Sequence, residues 1–135
     1  LGKQLLLKVS DIMHTGEKMP IVKSGQMLSE GLIEVSEKNL GMVAITDENN
    51  KEHGIFTDGD LRRSLDSKID IHGTPMSEVM SRNYKTIEKD MLAIDSMKLM
   101  KQHKITHLLI TNENKILLGA INIHDLLQAG IFRSV

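Results

Sequence analysis

The chain has 135 residues and a mass of 15.1 kDa, enough for one compact domain or two small units that share a core. It has no cysteine, which excludes a disulfide framework, a thiolate metal site and a cysteine nucleophile. With 17 basic and 18 acidic residues its formal charge is −1, and Phe56, Tyr84 and Phe132 are its only aromatic residues, so composition points to neither nucleic acid nor a membrane surface. Nine methionines serve as core filler in place of the missing rings. No stretch approaches the ~20 apolar residues of a membrane span, and no signal-peptide pattern opens the chain. Leu1 in first place is expected of a piece of a longer protein.

In chain order, a short extended piece is expected at Met19–Lys23. A helix follows whose apolar positions Leu28, Leu32 and Val35 lie on one face of a 3.6-residue period. The run Met42–Thr46 is too short for a helix and does not alternate, which suits a strand buried on both faces. Asp47-Glu48-Asn49-Asn50 is turn chemistry, a second strand ends at Thr57, and a helix closes the unit. The pattern then returns: an extended Tyr84–Glu88, a helix with Asp90 as N-cap, the apolar run Leu108–Thr111, the turn Asn112-Glu113-Asn114, a strand ending at Ile121, and a last helix.

The return is a duplication. Gly54-Ile55-Phe56-Thr57-Asp58-Gly59-Asp60-Leu61 aligns with Gly119-Ala120-Ile121-Asn122-Ile123-His124-Asp125-Leu126, each residue 65 positions on. Ser10-Asp11-Ile12-Met13 aligns with Ser77-Glu78-Val79-Met80 at 67, so one loop gains two residues. The expected fold is mixed α/β: two β-α-β-β-α repeats paired about a pseudo-two-fold axis. Residues 1–8 form a linker, 9–69 and 76–131 the repeats, 70–75 the connection and 132–135 a tail. Neither unit can bury its strands alone. Pairing them leaves clefts where equivalent loops face one another, a favoured place for ligands.

Thr57-Asp58-Gly59-Asp60 joins a strand to a helix. Thr57 suits the N-cap and Asp60 the acidic place of a capping box. The same turn can serve a ligand: a hydroxyl and helix N–H groups for phosphate, a carboxylate for a vicinal diol such as ribose. Arg62 and Arg63 add positive charge. The second copy keeps Asp125 but has Asn122 in place of Thr57. Its amide NH2 can still meet a phosphate, and His124 adds an anion contact. The clefts are therefore expected to differ in affinity. His107 opens the second apolar run beside Thr106, where the first copy has Gly41-Met42, and is a candidate cleft residue.

Gly54-Ile55-Phe56-Thr57-Asp58-Gly59-Asp60 resembles the Gly-hydrophobic-x-Thr/Ser-x-x-Asp segment of the cystathionine-β-synthase (CBS) domain, and the doubled copy resembles a tandem CBS pair over nearly the whole chain. Val9–Gly16, Asn39–Met42, Gly54–Arg63 and Ile123–Gly130 are also similar to the C-terminal half of bacterial D-arabinose-5-phosphate isomerases. The resemblance implies a cytoplasmic regulatory module, not itself an enzyme, that follows an absent sugar-isomerase domain interconverting ribulose 5-phosphate and arabinose 5-phosphate for synthesis of Kdo, a sugar of lipopolysaccharide and some capsules. It implies nucleotide or nucleotide-sugar binding between the copies, with AMP, ATP and CMP-Kdo as ligands, no other cofactor, and assembly as a homodimer or homotetramer. The ligand-binding candidates are Thr57, Asp60, Asn122, Asp125, His107, Thr106, Met42, Arg62 and His124.

Other chemistries find little support. His14, His53, His72, His103, His107 and His124 show no His-Glu-x-x-His spacing, so no metal site is expected. No Gly-x-Ser-x-Gly elbow is present, and no catalytic residue is assigned. The alternative to sensing is a purely structural module that pairs chains through an apolar helix face.

Overall fold

A computed structural model describes residues 2–131; Leu1, the expected 132–135 tail with Phe132, and the His53 side chain lie outside the described part. Helix α1 (Gly2–Leu6) precedes the first repeat, which runs β1 (Ile21–Lys23), α2 (Leu28–Lys38), β2 (Met42–Thr46), β3 (Glu52–Thr57) and α3 (Asp58–Asp66). A short α4 (Met76–Val79) leads to the second, β4 (Thr86–Ile87), α5 (Ala93–His103), β5 (His107–Thr111), β6 (Leu117–Asn122) and α6 (Ile123–Gln128). The order β-α-β-β-α thus occurs twice. Each repeat carries a three-stranded sheet, β1-β2-β3 or β4-β5-β6, with its first pair parallel and its second antiparallel. The first strand of each is shorter than the sequence suggested, and β6 runs one residue further, to Asn122.

The duplication extends to backbone detail. Asn39 and Lys104 end α2 and α5 with φ of 56° and 55°, and Asn50 and Lys115 turn with φ of 63° and 64°. The side-chain oxygen of Asp47 accepts from the N–H groups of Asn49 and Lys51, and that of Asn112 from Asn114 and Ile116. Such short polar side chains hold a tight turn by replacing backbone acceptors.

Burial on both faces explains why the middle strands show no alternation of apolar and polar positions. Val43 and Ile45 of β2 face a cluster with Leu28 and Phe56, whereas Met42 and Ala44 face the other repeat. In β5, Leu108 and Ile110 pack with Met97 and Met100, and Leu109 faces across. All of β2 is buried. A period of two therefore places one residue set in its own repeat's core and the other in the shared layer. Lys51 and Ile116 form an antiparallel bridge with each other, and Leu117 N–H donates to Asn50 C=O at 3.1 Å. Residues at equivalent places pair there because the pseudo-two-fold axis passes between them.

The repeats also exchange straps. The segment before the first repeat lies on the second: Val9 sits in the core of Ile87, Met97 and Leu126. Met76 and Met80, which precede the second repeat, lie in the first repeat's core with Leu28 and Phe56. His14 exchanges both backbone hydrogen bonds with Ala120 (2.9 and 3.1 Å), and Ser81 does the same with Ile55 (2.7 and 2.9 Å). Two glycines make room. A Cβ on Gly119 would stand 2.6 Å from Met13 Sδ and 3.0 Å from the His14 carbonyl oxygen. One on Gly54 would stand 2.5 Å from Met80 Sδ and 3.1 Å from that of Ser81.

These straps overturn the N-cap expected at Asp90. The N-cap position of α5 is Leu92, and the Ala93 N–H is satisfied at 2.8 Å by the Leu7 carbonyl. The Leu28 N–H of α2 is met at 2.8 Å by the Thr74 carbonyl. A backbone oxygen brought by the exchanged strap does the work of a capping side chain.

Candidate functional site

A cavity of about 420 Å3 opens where α3 begins. Its floor is the end of β3, Ile55 and Thr57, and the first turn of α3. Its walls come from the other repeat: the strap at Ser81, Tyr84 and Lys85, and the turn Lys104–His107 between α5 and β5. Neither repeat could form it alone. The volume falls in the range of small-molecule sites.

Asp60 is 7% exposed. Its Oδ2 accepts from the Thr57 N–H at 2.9 Å and from the Thr57 hydroxyl at 3.3 Å, and its Oδ1 takes the Arg63 guanidinium. Half of the carboxylate is thus spent on fixing the turn. The other half is held by a side chain that is itself 73% exposed and able to swing. Arg63, Lys85 and Lys104 set three cationic side chains against the carboxylates of Asp58 and Asp60, so the rim favours an anion.

The equivalent place in the second repeat is built differently. Asn122 is 8% exposed and completes a reciprocal capping box: its N–H donates to Asp125 Oδ2 at 2.8 Å, and its Oδ1 accepts from the Asp125 N–H at 2.9 Å. Its Nδ2 donates to the Leu40 carbonyl at 3.3 Å, which commits one hydrogen of the NH2 group expected to meet phosphate. His107 Nε2 donates to the same carbonyl at 3.1 Å, so Nδ1 is left to accept from the Thr106 hydroxyl at 3.0 Å. Burial pushes the His107 imidazole below its ordinary value of 6.5; the Leu40 carbonyl and the Asp58 carboxylate partly oppose that. A smaller cavity of about 260 Å3 remains, lined by Asn39–Gly41, Asp58, His107, Asn122 and His124. Asp125 does not reach it, because its Oδ1 accepts from His14 Nε2 at 2.8 Å.

Of the sequence candidates, Thr57, Asp60, Thr106 and His107 share the large cavity. Thr106 and His107 also line the small one, with Asn122 and His124. Met42 lines neither; it is buried in the layer between the sheets. Arg62 lines neither and is exposed on α3. Arg63 lines the cavity instead, since a step of three from Asp60 returns to the same helix face. Sequence reasoning also missed Ser81, Tyr84, Lys85 and Lys104. The signal for them is the repeat offset applied to the loops on either side of the motif. Among the described residues no group of three His, Asp or Glu could hold a metal ion, and no helix is long and apolar enough to cross a membrane.

Arabinose 5-phosphate isomerase KdsD of Pseudomonas aeruginosa is 45% identical over 131 residues, 97% of this chain and 40% of that protein. The chain therefore spans about two fifths of the length of the curated relatives it matches. The crystal structure of CBSX2 of Arabidopsis thaliana in complex with AMP superposes with a TM-score of 0.78 at 20% identity, covering 93% of this chain and 96% of that one. The CBS domain protein PAE2072 from Pyrobaculum aerophilum, complexed with AMP, gives 0.79 at 16% identity, over 93% and 100%. At those identities the likeness concerns the fold. The CBS-domain family model itself matches twice, over residues 9–67 and 76–131. With two matches, two β-α-β-β-α sheets and a cleft between them, this chain belongs to the CBS-domain family as a tandem pair.

Proposed function

We propose that this chain is a ligand-sensing module whose first cleft binds a nucleotide. The observation that carries the reading is the cross-repeat cavity at Asp60, with a cationic rim and a carboxylate oxygen held, among the described residues, by an exposed arginine alone. A ribose diol would donate to Asp60 Oδ1 and displace Arg63, which would then turn to the phosphate. The N–H groups at the start of α3 and Lys104 would bind phosphate oxygens, joined by the Thr57 hydroxyl once it turns away from Asp60 Oδ2. Ile55, Tyr84 and Ile105 would enclose the base. AMP is the first ligand to test, since two structural neighbours are complexed with it. ATP and the nucleotide sugar CMP-Kdo follow, the latter because the sequence resembles enzymes that supply Kdo synthesis.

In a longer protein built like the KdsD relatives, the pair would regulate a sugar-phosphate isomerase in the cytoplasm. A ligand does so only if it binds one arrangement of the repeats better than another. Isothermal titration of the chain with AMP, ATP and CMP-Kdo tests the reading. Saturable binding of at least one supports it, and no heat from any at millimolar concentration overturns it.

A second reading, assembly without a ligand, is favoured by exposed apolar side chains on four helices: Leu5 and Leu6 on α1, Ile33 on α2, Leu65 on α3 and Leu127 on α6. Light scattering separates the two. A dimer indifferent to nucleotide supports assembly; a nucleotide-binding monomer contradicts it.

A further inference from the structure

We propose that Asp58 sets the number of phosphates the first cleft accepts, confining it to a nucleoside monophosphate. The inference rests on reading that cleft as a nucleotide site and adds a limit at its anionic end. Asp58 is the first residue of α3, so its carboxylate stands beside the N–H groups that would meet the phosphate. Asp60 takes Arg63, whereas Asp58 has no ion-pair partner among the described residues. The charge is not needed to form the turn. In the second repeat the equivalent residue is Ile123, and α6 still begins with the same capping box.

The carboxylate stands where the cleft ends. Asp58, Thr106 and His107 line both cavities and so form the wall between them. A Cβ on Gly41 would stand 3.4 Å from Asp58 Oδ2 and 3.3 Å from His107 Nε2, so carboxylate and ring converge on one backbone position. His107 does not neutralise that carboxylate: its Nε2 hydrogen goes to the Leu40 carbonyl, and burial favours the uncharged imidazole. Arg63, Lys85 and Lys104 line the large cavity alone; neither lysine nor arginine lines the small one beyond the wall. With ribose at Asp60 and the base at Tyr84, one phosphate at the start of α3 has these cations to balance Asp58. A second and a third, carried toward the wall, would meet the fixed carboxylate and then a cavity without a cation.

The test is titration calorimetry of the 135-residue chain with AMP, ADP and ATP, wild type beside Asp58→Asn, without divalent cation and again with magnesium. Wild type is expected to bind AMP at least about tenfold more tightly than ATP. The substitution removes the charge and keeps the shape, so its gain in affinity should grow along the series, slight for AMP and about fivefold or more for ATP. A role confined to the helix start would change all three ligands alike. An equal change for all three overturns the proposal, as does a wild type that prefers ATP. Weaker ATP binding by Asp58→Asn in magnesium also overturns it, because the carboxylate would then hold a metal ion on the phosphate chain. If AMP binds both proteins and the ratio to ATP is unchanged, the role of Asp58 falls alone. If none of the three binds either protein, the reading of the first cleft falls and takes the proposal with it.

Discussion

In the first repeat, Asp60 borders a cavity of about 420 Å3 and faces a strap whose nearest equivalent side chain is Ser81. In the second, Asp125 has the same backbone partner at nearly the same distance, 2.8 Å against 2.9 Å, yet its outer oxygen is taken by His14. The Leu40 carbonyl is drawn in by both Asn122 and His107. The corresponding positions in the first repeat are Thr57 and Met42; Thr57 spends its hydroxyl on Asp60, and Met42 has no donor. Duplication has preserved the turns, caps and strand register. The clefts differ at three paired positions: Ser81 and His14, Thr57 and Asn122, Met42 and His107.

The largest expected effect sharpens what the clefts share. Each depends on a strap seated over a glycine. Gly54→Val and Gly119→Val both drive a side chain into a backbone oxygen that cannot move alone, and overpacking of that kind costs about 1–3 kcal/mol or more. Chemical denaturation should show both variants destabilised. Destabilisation of only one would mean that the straps are not equivalent.

Breaking the comparison at the ligand comes next. Asp60→Asn keeps the turn but removes the charge, and AMP affinity should fall about 100-fold in titration calorimetry. Arg63→Ala should weaken AMP about tenfold and leave adenosine nearly unaffected, because the guanidinium serves the phosphate. A similar loss for both ligands would assign Arg63 to the sugar instead.

The smallest effect concerns pH. Because burial lowers the His107 pKa, the unfolded chain takes up the proton before the folded one as pH falls. Stability is unaffected by this group above its ordinary value of 6.5 and declines as pH falls from there toward the lowered folded value. His107→Gln keeps a donor for Leu40 and should show a shallower decline in that window. Parallel curves for variant and wild type would remove His107 as the cause.

The repeat and its elements were legible because they depend on local chemistry: a 3.6-residue period at Leu28, Leu32 and Val35, an uninterrupted Met42–Thr46, and paired turns at Asp47 and Asn112. Thr57 and Asp60 were legible as a box spaced three apart. What stayed hidden depends on chain exchange. Asp90 looked like a cap because nothing local reveals that the Leu7 carbonyl arrives at Ala93. The His14 contact spans 111 positions and appears in no period. Helical spacing from Asp60 selects Arg63 over Arg62 for the cavity, and Met42, although equivalent to His107, lies on an apolar strand face.

The account is tested most directly by AMP titration of three proteins: the wild-type chain, Asp60→Asn and Asp125→Asn. It predicts one AMP per chain in the wild type, severe loss in Asp60→Asn and little change in Asp125→Asn. Binding that survives Asp60→Asn but is lost in Asp125→Asn would contradict it.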